Sequence, residues 1–295
     1  MSHLKNLSEC EASLTLHRVT LRPDLSEEEY RSLDAINQSY LKRVHTHGVA
    51  HAEADKHSKV QKSKALLIGS LYHCLTLEPD EVHKRYLRAP NVDRRTKYGK
   101  EVHAEFEQSS NGLEVVKGDD WDVAEAMSKS AFEIVKSRFD RPEVMYEIAF
   151  TGVAKVDYKW EGKLYSFPFN LKGKLDLLTK PWKSKKEQEI EILDLKSMAS
   201  LSDSDVIASA RGSCWGIQSA FYSDCVREAL GTMPKFTYVC SEKEEPNLSR
   251  EFVVAPEMIE RGRHMYLRSL VQISEWNRNG KPMDYRYVGV TELNA

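Results

Sequence analysis

The sequence contains no apolar run approaching the ~20 residues that span a bilayer, which excludes a membrane helix. Met1-Ser2-His3-Leu4-Lys5 is followed by no apolar h-region, so no secretory signal is visible and a cytoplasmic protein is expected. There is no C-x-x-C pair: Cys10, Cys74, Cys214, Cys225 and Cys240 stand apart and are odd in number. That argues against a disulfide framework, a tetrahedral zinc site or a four-cysteine iron–sulfur cluster, and leaves reduced thiols filling the core. An excess of positive charge is also missing, with 43 Lys+Arg against 45 Asp+Glu and a net charge of −2. Many nucleic-acid binders are basic overall, but phosphate binding requires only a local basic surface. No internal repeat or low-complexity linker interrupts the chain. With 295 residues, 41% of them hydrophobic, there is material for a full core, read as one domain over 1–295.

Residues 1–25 are expected to form a peripheral arm. Ser26-Glu27-Glu28-Glu29 reads as a capping box for a short helix, and a second helix covers Gln38 to Val44. The polar stretch 45–64 carries His45, His47, His51 and His57. His47 and His51 are one helical turn apart and could hold a metal, but without apolar periodicity the stretch reads as a mobile solvated loop. Helical patterns follow at 65–77, 79–86, 97–108 and 119–139. The texture then changes: Tyr146–Trp160, Lys163–Phe169, Leu171–Thr179 and Glu189–Lys196 are short, alternating and rich in β-branched and aromatic residues, as strands are. Lys183–Gln188 reads as a solvated turn. Helices at 203–210 and 213–229, strands at 235–241 and 249–255, and a helix over 256–277 complete an α/β fold. Its mixed central sheet is flanked by helices, behind a helical N-terminal portion.

Ile192-Leu193-Asp194-Leu195-Lys196 carries the sharpest chemical signal. On a strand Asp194 and Lys196 share one face, while Leu193 and Leu195 point into the core. A strand buried enough to need those leucines rarely carries an unpaired carboxylate and ammonium, although an exposed pair on an edge strand is the plain alternative. Gly173-Lys174-Leu175-Asp176 lies on the preceding strand, where a hairpin brings Asp176 beside Asp194. Two carboxylates held together repel unless a cation neutralises them, which suits a hard divalent ion. Lys196 beside that ion can orient or deprotonate the attacking water. The chain between Asp176 and Asp194 is long, and if 180–190 is not a hairpin extension Asp157 is the next candidate. Gln218 and Tyr222, four apart, share a helix face. Glu147 heads the first strand, where it is either a site acid or an ordinary exposed one.

An acid, a second acid and a lysine two residues after it form the PD-(D/E)XK nuclease signature, and a Q-x-x-x-Y helix after that strand resembles the RecB-like branch. Gly69-x-x-x-His73 followed by Leu77-Glu78-Pro79, together with Ala89-Pro90-Asn91-Val92-Asp93-Arg94-Arg95-Thr96-Lys97-Tyr98-Gly99-Lys100, is similar to segments of RecE-like exonucleases (the exodeoxyribonuclease VIII type). The likeness runs from about Ile36 to Tyr222. It implies a PD-(D/E)XK restriction-endonuclease-like core and hydrolysis of the 5′-ended strand of double-stranded DNA. It also implies one or two Mg²⁺ or Mn²⁺ ions held by His73, Asp176, Asp194 and the Leu195 carbonyl, with Lys196, Gln218, Tyr222 and Glu147 completing the site. Arg94, Arg95 and Lys97 are candidates for gripping DNA phosphates, equally readable as a solvated charge run. The expected partners are duplex DNA ends, a RecT-like single-strand annealing protein, and further copies of the chain in a trimeric or tetrameric ring. The alternatives are a RecB-like nuclease acting on single strands or internally, and a catalytically silent DNA-binding subunit.

Overall fold

The structure, a computed structural model, describes residues 11–56, 63–93, 95–109, 112–139, 144–179 and 190–281. A six-stranded sheet forms the centre, in the order β1 (Ala12–Arg22), β4 (Val144–Trp160), β5 (Lys163–Thr179), β6 (Glu191–Met198), β7 (Lys235–Glu242) and β8 (Ser249–Val253). β6 and β7 run parallel and every other neighbouring pair is antiparallel, so the sheet is mixed. The parallel step requires a crossover, which α8 (Asp203–Gly212) and α9 (Trp215–Leu230) supply. A parallel pair, β2 (Tyr86–Arg88) and β3 (Glu114–Val116), stands apart from the main sheet.

Helices cover both faces. On one, α2 (Gln38–His47), α9 and α10 (Pro256–Arg278) pack Leu41, Phe221 and Leu270 against Phe150, Tyr158, Ile192 and Tyr238. On the other, α4 (Lys64–Leu77) and α7 (Gly118–Phe139) pack Leu71, Tyr72 and Met127 against Leu177, Leu193, Leu195 and Val239. The alternation in β6 therefore sends Leu193 and Leu195 to the α4 and α7 side, and Ile192 and Asp194 toward α9. Fully burying each leucine contributes about 1.5–3 kcal/mol, so the register is firmly set. A slip of one residue would turn Asp194 and Lys196 into the α4–α7 core and take the leucines out of it.

Three expectations are corrected. Residues 12–22 are no peripheral arm but the edge strand β1, paired along β4 from Ala12↔Tyr158 to Arg22↔Ala149. Its alternation packs Leu14 and Leu16 onto the core. The stretch 45–64 is not one mobile loop. α2 continues to His47, and Gly48, at φ 86°, makes the break. α3 (Val49–Lys56) then follows, held by buried Val49 and Ala52 on one face. Hydrophobic anchors only three residues apart were too few to show as periodicity. The two strands expected over 163–179 are one continuous β5. The Lys183–Gln188 turn and His57 fall outside the described residues. The remaining short helices are α1 (Glu27–Ser32), whose Ser26/Glu29 capping box forms as expected, α5 (Val82–Arg85) and α6 (Lys97–Ser109).

Candidate active site

The sheet is irregular where β4, β5 and β6 meet, and the acidic residues gather there. Leu177 pairs with Leu193, the next pair toward the site would be Asp176 and Asp194, and the ladder ends before it. Asp176 replaces the lost ladder bond by accepting the Leu195 N–H through Oδ2 at 2.8 Å. On its other side, β4 pairs Tyr146 with Leu177 and Ile148 with Leu175 but skips Glu147, which sits at φ 45°. A left-handed conformation in a non-glycine residue is costly within a strand. Here it breaks the pleat and lets Glu147 reach Asp176. Leu175 and Leu177, two apart, consequently pack into different cores.

His73 reaches the same point from α4. Gly69, one turn earlier, lets the helix close on β6: an added Cβ would stand 3.2 Å from Ser197 Oγ. His73 Nε2 lies 2.9 Å from the Leu195 carbonyl oxygen. Because a carbonyl only accepts, Nε2 carries the proton and Nδ1 keeps its lone pair. Burial holds the imidazole below its ordinary pKa. That lone pair faces Asp176 Oδ2 at 3.4 Å. Two acceptors facing each other require a proton or a cation between them. Ligand atoms of His73, Glu147 and Asp176 all lie within 4.8 Å of one another, the one such grouping found among the described residues. One imidazole nitrogen and two carboxylates fit a divalent cation. Burial and then the charge of Asp194 push the Asp176 carboxyl up to about 8, and burial and then Asp176 raise Glu147. These shifts are what a nearby cation would reverse.

Asp194 lies just behind this trio and is 2% exposed. Its Oδ1 accepts from Lys196 Nζ at 2.9 Å, its Oδ2 takes a short bond from the same ammonium, and Gln218 Nε2 donates a short bond to Oδ1. The expected pairing of Asp194 with Lys196 on one face is therefore present, at the centre of the sheet rather than on an edge. Gln218 is aimed by α9, which starts at Cys214 with φ 49°. Tyr222, one turn on, stands edge-on to Phe150 with centroids 5.6 Å apart, and its hydroxyl bonds to the Lys174 backbone. Both rings press on Gly173, where an added Cβ would overlap Phe150 Cζ and lie 3.0 Å from Tyr222 Cε1. The glycine of Gly173-Lys174-Leu175-Asp176 thus serves close packing beneath the site.

The structure brings together His73, Glu147, Asp176, Asp194, Leu195, Lys196, Gln218 and Tyr222. The Leu195 carbonyl, expected as a ligand, accepts from His73 Nε2 and fixes the His73 tautomer. Asp157 lies elsewhere, opposite Ser166 near the hairpin end of β4 and paired with Lys155 at 3.3 Å. Arg95 is exposed and tied to Asp93 at 3.0 Å, and Lys97 opens α6 on the surface, so neither joins the cluster. Arg94 is outside the described residues. Two basic residues went unrecognised in the sequence. Lys174 bridges Glu147 and Glu27, at 2.8 Å each; burial opposes its charge, but the two glutamates raise its pKa. Lys42, on α2, donates to Gln218 Oε1 at 3.0 Å. Burial and then the neighbouring Lys196 charge push its pKa down to about 8. Lys174 sat inside the glycine–aspartate motif and was open to recognition. Lys42 carried no local signal, being 176 residues from its partner.

Over residues 38–284 the sequence matches the family described as "PDDEXK-like domain of unknown function (DUF3799)". No curated protein matches it. Among solved structures, it is similar to a crystal structure described as "Putative exonuclease" from Eubacterium rectale, with TM-score 0.56, 18% identity and 88% of each chain covered. At that identity the likeness speaks for the fold. Rai1 from Scheffersomyces stipitis, in complex with (3′-NADP)⁺ and calcium ion, aligns at TM-score 0.29 and 14% identity over 83% of this chain and 65% of its own, too low to carry an argument.

Proposed function

From the premise that the chain belongs to the PDDEXK-like family (DUF3799), within the PD-(D/E)XK nuclease superfamily, we propose that it is a metal-dependent exodeoxyribonuclease of the RecE type. In this reading it degrades the 5′-ended strand of double-stranded DNA and leaves a 3′ single strand for a RecT-like annealing protein. The observation that carries it is the convergence of His73, Glu147 and Asp176 within 4.8 Å, beside an Asp194–Lys196 pair. A structural ion pair alone needs no such trio, and a purely binding surface has no use for three mutually repelling donors.

His73 Nδ1 and the carboxylates of Glu147 and Asp176 would hold the ion. Asp194 can join them, because a carboxylate has about four lone-pair sites and can ligate while accepting hydrogen bonds. A bound Mg²⁺ or Mn²⁺ supplies charge stabilisation to the phosphate and lowers the pKa of water. Lys196 Nζ, fixed by both Asp194 oxygens, offers its remaining proton to orient the attacking oxygen. Gln218 keeps Asp194, and through it Lys196, from rotating. Tyr222 and Gly173 hold β5 beneath Asp176.

The test is digestion of linear duplexes labelled at either 5′ or 3′ ends, with magnesium or with chelator. Magnesium-dependent early release of the 5′ label supports the proposal. Release of the 3′ label first, or internal products, replaces it with another RecB-like activity. Binding without cleavage replaces it with a silent DNA-binding subunit.

A further inference from the structure

We propose that Lys42 is a positioning residue of this site: its ammonium locks the Gln218 side-chain amide in the one orientation that lets it hold Asp194. The two ends of a glutamine amide are alike in shape and opposite in hydrogen bonding, so its orientation is set only by its partners. Gln218 is 5% exposed and sits between two groups of opposite character. Lys42 Nζ, which can only donate, lies 3.0 Å from Oε1. Ionised Asp194, which can only accept, takes the short bond from Nε2. Flipping the amide would set its oxygen against the carboxylate and its NH₂ against the ammonium. Both contacts would then be repulsive, in a place with little water to relieve them.

Without Lys42 the buried amide oxygen loses its donor, and nothing on that side opposes the flip. The Gln218–Asp194 bond then loses its backing, and Lys196, which hydrogen-bonds to Asp194 and lies 5.4 Å from the Tyr238 ring centroid, is less firmly placed. Helix α2, remote in sequence, thereby completes a site built otherwise from the sheet, α4 and α9. Lys42 acts through Gln218 and not on the reacting atoms.

The proposal deepens the nuclease reading, and two measurements keep the two apart. The first is kinetic, on Lys42→Met, Lys42→Arg, Gln218→Leu and the double variant Lys42→Met/Gln218→Leu. Lys42→Met should lower kcat roughly 10-fold, within the range that small misplacements cost, with KM for duplex DNA unchanged. Lys42→Arg, which keeps the donor, should recover part of that loss, and the double variant should be no slower than Gln218→Leu alone. A Lys42→Met effect seen in KM, or one that multiplies with Gln218→Leu, overturns the proposal in favour of direct contact with DNA. The second measurement needs no activity: ¹⁵N spectra of the metal-free protein, with the Gln218 side-chain amide assigned by its loss in Gln218→Leu. Lys42→Met should shift or double that amide pair and speed its exchange with water, and Lys42→Arg should leave it near wild type. An unmoved pair in Lys42→Met overturns the proposal, even if the wild-type protein proves to cut no DNA.

Discussion

Replacing Asp176 by asparagine should make the metal-free protein more stable above neutral pH while removing its activity. The substituted side chain can still accept the Leu195 N–H through its amide oxygen, so the 2.8 Å bond that ends the ladder survives. What disappears is a carboxyl that folding shifts from 3.8 to about 8, chiefly by burial and then by Asp194. The folded state holds that proton more tightly than the unfolded chain does. Its stabilisation is therefore complete below about pH 4 and is lost as pH rises through about 8. Between pH 6.5 and 8 the unfolded carboxyl is ionised and the folded one still largely protonated. Stability should then fall by up to about 1.4 kcal/mol per pH unit, about 2 kcal/mol across the window. For a domain of this size that is roughly 4–8 °C in Tm. His73, depressed by burial, adds an opposing slope only at the lower edge of the window, where its unfolded imidazole near 6.5 loses its proton, and Lys42 begins to lose its proton only at the upper edge. Glu147 is raised by burial and then by Asp176, so its own titration carries a slope of the same sign, and losing the Asp176 charge in the variant removes one of its causes. Melting curves in chelator should show the wild type falling across pH 6.5–8 and Asp176→Asn nearly flat. Millimolar Mn²⁺ should reverse the wild-type slope, because ligation needs the ionised carboxylates. A flat wild type in chelator, or an unchanged slope in Asp176→Asn, would refute the account of the acidic cluster.

Asp194→Ala should abolish cleavage at saturating magnesium yet fold, since Lys196, with a fifth of its side chain exposed, can turn its ammonium to water; circular dichroism and labelled duplexes check both halves. His73→Ala should weaken metal binding, measured by calorimetry, and lose more affinity for Mn²⁺ than for Mg²⁺, because Mn²⁺ accepts imidazole nitrogen more readily. A loss of thermal stability with unchanged metal affinity would instead make His73 a core residue. Finally, we expect a closed trimer or tetramer that digests long duplexes without release, because a chain of net charge −2 has little long-range attraction for DNA and needs enclosure to stay bound. A monomer by light scattering, releasing DNA when challenged with unlabelled competitor, would contradict it.

Strands β6 and β7 and helices α4, α7, α9 and α10 were legible because burial on one or both faces writes itself as periodicity. Asp194 and Lys196 were legible for the converse reason: charge inside an apolar strand stands out. β1 was missed because a half-exposed edge strand interleaves Leu14 and Leu16 with Thr15 and His17, and so resembles a polar tail. α3 was missed because Val49 and Ala52 are its only buried residues, and its ties to Arg43 and Tyr40 of α2 leave no apolar pattern. In the site, Glu147 was read as heading a strand, although its weight comes from a local left-handed backbone that no residue pattern announces. The link from Lys42 to Gln218 depends on how α2 docks against α9. That contact exists only in three dimensions.

Four departures from regular structure converge on one place, while others, such as Arg18 at φ 53° and Asn247 at φ 58°, lie apart from it. Glu147 at φ 45°, Cys214 at φ 49° where α9 begins, the ladder that stops at Asp176, and the buried Asp194 each lower stability, by about 1–3 kcal/mol for a left-handed non-glycine residue. A sheet selected only to fold would carry a regular β4–β5–β6 ladder with apolar side chains at 147, 176 and 194. Instead, the extensive apolar packing on both faces of the sheet holds four irregularities within reach of one another. Strain distributed at random would not gather three ligand atoms within 4.8 Å, nor flank them with Lys196, Lys174 and Lys42. The cations also have distinct tasks. Lys174 neutralises Glu147 and ties it to α1, Lys196 is held by Asp194, and Lys42 sets the amide that holds Asp194. An ion-pair network that only stabilised the fold would be expected to leave its carboxyls satisfied and their pKa values low. Here burial drives Asp176 and Glu147 both upward, a shift that the proposed cation would reverse.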